Sequence, residues 1–258
     1  MLTFRAFIIL TTALLVALVA PSLPVRAADD DPSDEYQFTL SPHHAIHGDL
    51  SGFGELGYYR NPKADYDAFT IQYPGLVYTA TRWAQFSAGF RTLYTDNENS
   101  ADKLELRPFV GAKFFLPNDL EWNIYNYTRV EYRDTENRDT NEWTHTTRVR
   151  SRFAVEIPLT SSAKAWRPKT WYVLADVEPF YRFDTDTVGP LRLRAGIARI
   201  LSDGIHLELL YNPQFSRPSG GGSLELTENI FNLNVKIGLH EGLLRRLQNP
   251  SHGDGRGI

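Results

Sequence analysis

The sequence contains no cysteine. That excludes a disulfide framework and a lipid-modified cysteine, so an exported chain of this kind must be held by a core or by a membrane. Beyond the first 27 residues there is no apolar run long enough for a helical membrane span. A helical membrane protein is thereby excluded. A transmembrane barrel is not, because its strands alternate and keep the average hydropathy near neutral. Strong charge of one sign is also missing: the formal net charge is −4 over 258 residues and no basic tract stands out, which argues against nucleic acid as a partner. Methionine occurs once, whereas aromatic residues make up 13% of the chain, with 13 Tyr and 5 Trp. Barrels use such residues as girdles at the two membrane interfaces.

What is present begins with a basic start at Arg5, a short apolar stretch from Ala6 to Ala20, Pro21 and Pro24, and a small-residue exit at Val25-Arg26-Ala27. This order predicts a secretory signal peptide over 1–27, cleaved after Ala27. Residues 28–50 read as a periplasmic N-terminal segment, acidic at first and then carrying His43, His44 and His47. Imidazoles at such spacing can converge on a metal ion, but no carboxylate or cysteine frames them, so they read as solvated and no metal or other cofactor is expected.

From 51 to 240 the chain alternates with a period of two, the β signature. The clearest part is a hairpin. Trp122, Ile124, Thr128, Val130 and Tyr132 share one parity against Arg129, Glu131 and Arg133, and Val149, Phe153, Val155 and Ile157 stand against Arg148, Arg150, Arg152 and Glu156. About ten strands follow one another, with a bulge or bend predicted at Pro74-Gly75. Polar links alternate with tight turns; the segment from Pro158 to Thr170 is the long exception among the turns. The layout predicts an all-β, antiparallel, up-and-down transmembrane β-barrel. Both termini are expected at the periplasmic rim, which requires an even strand number, ten or alternatively twelve if the region around Tyr36 to Leu40 and the tail pair up. Residues 241–258 read as a flexible C-terminal tail.

Alternation alone does not separate a membrane barrel from a soluble one. Strands of ten to fourteen residues exceed the five or six usual in globular domains and match a tilted bilayer crossing. Aromatics also fall at both ends of the apolar stripes, with Trp83, Phe114, Trp122 and Trp171 at one rim and Tyr94, Tyr132, Trp143, Tyr181 and Phe183 at the other. The expected location is the outer membrane of a Gram-negative bacterium, with membrane lipid and the barrel-assembly machinery as partners.

The runs Tyr127-Thr128-Arg129-Val130-Glu131-Tyr132-Arg133 and Arg148-Val149-Arg150-Ser151-Arg152, with Tyr73-Pro74-Gly75-Leu76-Val77-Tyr78 ahead of Gly89-Phe90-Arg91, resemble a Gram-negative envelope family catalogued as a domain of unknown function, the DUF2490 type. The resemblance covers about Gly54 to the last strand. It implies an outer-membrane β-barrel and brings no catalytic residues.

The inward parity collects a charge ladder: Arg129, Glu131, Arg133, Arg148, Arg150, Arg152, Glu178, Arg182, Arg192 and Arg194. In a barrel of about ten strands such side chains meet across the lumen. The expectation is a network that largely plugs it, because buried charges must be paired. The alternative is a narrow porin-like channel for small anionic solutes. A hydrolase is the third reading. His145 and Ser151 share a strand but stand too far apart to touch, Ser87 has no His of its parity nearby, and His206 among carboxylates such as Glu208 suits a general base, yet a lone lumenal His is more often a satisfied member of a polar network.

Overall fold

In the computed structural model the described residues are 25–26, 31–160, 165–184, 187–217, 223–240 and 242–248. The expected signal peptide lies outside them except for Val25 and Arg26. Twelve strands form one sheet: β1 (Val25–Arg26), β2 (Ser33–His47), β3 (Leu50–Asn61), β4 (Tyr66–Thr81), β5 (Ala84–Asn97), β6 (Lys103–Leu116), β7 (Asn123–Asn137), β8 (Glu142–Pro158), β9 (Trp171–Arg182), β10 (Thr187–Ser202), β11 (Ile205–Ser216) and β12 (Leu224–Gly238). A short helix, α1 (Leu243–Gln248), follows. From β2 to β12 each strand pairs antiparallel with the next in sequence, and β12 returns to pair with β2. The result is a closed barrel of eleven strands, with the two-residue β1 lying parallel to the start of β12.

The closing pair differs from the expected arrangement. β12 and β2 run parallel, in unbroken register from Glu228 opposite Ser33 to Gly238 opposite His43. With one parallel seam the count is odd, and the chain enters the barrel at one rim and leaves at the other. The requirement for an even number assumed that every neighbouring pair is antiparallel, and at this seam that assumption fails. The N-terminal segment expected over 28–50 is accordingly wall from Ser33 to His47. Tyr36 and Phe38 project outward and Glu35 and Thr39 are buried inside. Residues 243–248, expected as part of a flexible tail, form α1.

The predicted irregularity at Pro74-Gly75 is a bulge in β4. Its register shifts against both neighbours, between Phe53 and Glu55 on one side and between Gln72 and Gly75 on the other. A bulge inserts one residue and flips the parity beyond it. Ala68, Thr70 and Gln72 therefore face inward before it, and Leu76 and Tyr78 face outward after it. Gly75 and Gly89 then stand opposite each other on the inner face, and their missing side chains leave room for the rings of Phe53 and Phe109, whose centroids are 6.4 Å apart.

The outer face is apolar around the whole wall. Phe69, Ile71, Phe86, Val110, Val130, Phe153, Leu193, Ile197, Leu209 and Phe231 are all exposed on it. Aromatics mark both rims of this band: Trp83 stacks on Phe114 at the tight-turn rim, and Tyr181 meets Phe183 edge-on at the polar-loop rim. Inside, among the described residues, buried polar and charged side chains outnumber buried apolar ones. This is the inverse of a soluble protein, whose surface carries the charges and whose interior is apolar.

A Cβ at Gly75 would lie 2.6 Å from the carbonyl oxygen of Phe53, backbone that cannot step aside. Gly75→Ala is expected to destabilise the barrel by about 1–3 kcal/mol. The temperature at which the folded band is lost on an unboiled gel should fall measurably below that of the parent.

Candidate functional site

Among the described residues, the lumen is where ionisable side chains gather. Short acidic side chains sit at the wall, and long arginines reach over them. Glu131, fully buried on β7, accepts hydrogen bonds from Arg129 Nε at 2.5 Å and Arg148 Nε at 2.6 Å, and forms ion pairs with Arg150 at 3.0 Å and Arg107 at 3.9 Å. The register explains the convergence. Glu131 lies opposite Arg148, and Arg129 opposite Arg150, on β7 and β8, where cross-strand side chains start about 5 Å apart. The pattern repeats on the next strands, with Glu178 opposite Arg192 and Asp176 opposite Arg194. Glu178 takes Arg152 at 3.0 Å and Arg150 at 3.5 Å, and Asp176 takes Arg194 at 2.5 Å. Glu105 binds Arg133 Nε at 3.0 Å and also contacts Arg107. Aromatic faces support the guanidiniums, Arg129 over Phe109 at 4.4 Å and Arg148 over Phe180 at 5.1 Å, a further attraction where water is scarce.

Charge is unevenly distributed around the wall. On β6 to β10 nine cations point inward, Lys113, Arg107, Arg129, Arg133, Arg148, Arg150, Arg152, Arg192 and Arg194, against five carboxylates, Glu105, Glu131, Glu156, Asp176 and Glu178. The remaining strands reverse the balance: Glu35, Glu55, Glu208 and Glu228 against Arg91 and Lys236. On that side Glu208 accepts bonds from Tyr172 at 2.6 Å, Lys236 at 2.5 Å and Asn234 at 2.9 Å. Glu35 and Glu228 share the hydroxyl of Tyr66. Between the two sides lies a chamber of about 560 Å³.

Two segments pack into the tight-turn rim. Trp166, from the long segment between β8 and β9, is buried against Tyr172, Leu174, Ala198, Ile200 and Leu210 on the inner face. Its indole N–H donates to the carbonyl of Glu121 at 2.7 Å. Both residues have positive φ, 58° in each case, a conformation that costs a side-chain-bearing residue about 1–2 kcal/mol. The packing and the hydrogen bond hold the segment there against that cost. Beside it α1 buries Leu243 and Leu244, and the amide of Gln85 on β5 donates to the carbonyl of Leu247 at 3.3 Å.

Of the ten ladder residues, Arg182 stands at the rim, where it binds Asp184 at 2.7 Å with its side chain 41% exposed. That hydrogen bond holds the Asp184 carboxyl below its usual range. The other nine face the lumen. Alternation did not single out Glu35, Glu228 and the Gln214 amide that accepts from Arg192 at 2.6 Å, because Glu35 and Glu228 fall near the ends of strands where few residues define a parity. The three N-terminal histidines do not converge: His43 lines the chamber, His44 lies over Gly52, and His47 stands in the exposed end of β2. Among the described residues no group of three or more His, Asp or Glu is arranged to hold a metal ion. Ser151 bonds to Asn126 and Thr128, both at 2.8 Å, while His145 pairs with Asp134, so these two do not form a nucleophile and base. Ser87 bonds to the Tyr127 hydroxyl at 2.9 Å, and His206 packs edge-on to Tyr172.

Glu131→Gln removes a negative charge that four guanidiniums share and is expected to cost about 3–5 kcal/mol. Arg182→Gln at the exposed rim should leave stability unchanged. Thermal loss of the folded gel band measures both.

Comparison with curated proteins gave no match. A family model described as "Protein of unknown function (DUF2490)" matches residues 35–224, a span that runs from β2 to the first residue of β12 and includes the whole arginine–glutamate wall. The chain belongs to the DUF2490 family.

Proposed function

We propose that this protein is an outer-membrane β-barrel of a Gram-negative bacterium whose lumen is a blind chamber and not a through-pore. The observation that carries the membrane reading is the inverted surface: an apolar band with aromatic rims outside, and paired charges within. Exposed to water, the band would be an aggregation surface far larger than a monomer tolerates. Against lipid it is the favourable partner. The tight-turn rim faces the periplasm in this reading, and the expected signal peptide and the barrel-assembly machinery deliver the chain there.

The blind end follows from Trp166 and α1, which occupy the periplasmic mouth from two different parts of the chain. Ion pairs on the walls narrow what remains. A chamber open only toward the polar-loop rim accepts solutes without conducting them, which sets this reading apart from a narrow anion channel. No step of bond chemistry is assigned to it.

Two measurements test this. The mature protein should fractionate with the outer membrane and migrate faster on a gel when left unboiled; recovery in the soluble periplasm with no such shift would sink the membrane reading. Reconstituted in planar bilayers, the full chain should show no steady conductance, whereas Trp166→Ala combined with removal of residues 240–258 should show openings. Steady conductance by the intact protein would instead make it a channel.

A further inference from the structure

The chamber has two kinds of surface that its own residues do not complete. On the cationic wall, Nε of Arg152 and Nε of Arg192 are buried without a hydrogen-bond acceptor among the described residues. Arg192 also makes no ion pair there; its bond is to the neutral Gln214, and it lies 5.7 Å from the Phe180 ring. To either flank, Gln72 Oε1 on β4 and Asn212 Oδ1 on β11 are buried acceptors without a donor. All four of these side chains line the same chamber. Buried polar atoms normally find partners in protein, water or a bound ligand, and these four converge on one chamber.

We propose that the chamber is a binding site for a small polyhydroxylated organic anion of the sugar-acid class, rather than a space filled only by its own ion pairs. Nine cations (Arg91, Arg107, Arg129, Arg148, Arg150, Arg152, Arg192, Arg194 and Lys236) against six carboxylates line the chamber, and this excess positive charge is what an anionic group neutralises. Guanidinium is the group best suited to take a carboxylate or phosphate, through charge-assisted bonds in a fixed fork. Hydroxyl donors on the body of the ligand satisfy the two orphan amide oxygens. Phe53, Tyr59 and Tyr127 also line the chamber, and aromatic side chains suit a sugar's apolar side. The volume of about 560 Å³ falls within the range of small-molecule sites, about 300–1,000 Å³. The inference rests on the blind-chamber reading for access from one rim only, and adds to it the class of solute.

The test is isothermal titration of the full-length, refolded protein in detergent with glucuronate, glucose and acetate, after gel mobility has shown each sample folded. Glucuronate should bind at one site, more tightly than either acetate or glucose, with affinity falling as salt is raised. Arg192→Gln, which breaks no direct ion pair among the described residues, should weaken glucuronate by about tenfold or more. Asn212→Leu should reduce the preference for glucuronate over acetate. If folded parent protein binds none of the three, or binds acetate as tightly as glucuronate, or if Arg192→Gln leaves the affinity unchanged, the proposal is wrong. Conductance and fractionation are read separately, so failure here is distinguishable from failure of the blind-chamber reading.

Discussion

A β-sheet that ends leaves a row of unpaired backbone donors and acceptors, and a barrel exists only if its first and last strands meet. Here they meet in parallel, over the register from Ser33 opposite Glu228 to His43 opposite Gly238. The rest of the structure depends on that seam. Without β2 the ten antiparallel strands from β3 to β12 would have to close on a smaller circumference, and Glu35, Gln37, Thr39 and Ser41 would be missing from the lumen wall. The seam also carries side-chain bonds, with the Asn232 amide donating to Gln37 at 2.8 Å and to Thr39 at 3.0 Å.

Closure creates an interior, and that interior is stabilised by geometry more than by numbers of charges. Glu131 serves several arginines because β7 and β8 place them opposite and diagonal to it. A shift of one residue would turn every one of these side chains to the outer face. Paired charge of this kind contributes little net stability compared with a well-packed apolar core, but it penalises any misregistered state that leaves a guanidinium alone. Polar interior and apolar exterior thus impose the same register from opposite sides.

Much of this was legible in the residues. A period of two placed Arg129, Arg148, Arg150, Arg152, Arg192 and Arg194 on one face, Pro74-Gly75 marked the bulge, and aromatics at stripe ends marked the rims. Three features were not. Alternation is identical in parallel and antiparallel pairs, so the direction of β2 left no trace in its pattern, and its acidic start and histidine-rich end resembled a lead-in. Trp166 lies in a segment without any period, and only tertiary packing on Tyr172 and Ile200 shows that it turns inward. How many arginines share one carboxylate depends on cross-strand register, which a single strand's parity does not contain.

The odd strand count has a consequence for where the first and last barrel strands begin and end. The seam of eleven residue pairs spans ten steps of about 3.3 Å, so its start and finish lie about 33 Å apart along the strand direction. An even-stranded barrel keeps its termini side by side, so they can be joined by a short peptide and the chain reopened elsewhere. In this barrel a linker from the end of β12 to the start of β2 would have to run the full height of the wall, so the two ends of the strand cycle are not interchangeable: one is an address at one rim of the sheet cylinder, and the other is an address at the opposite rim.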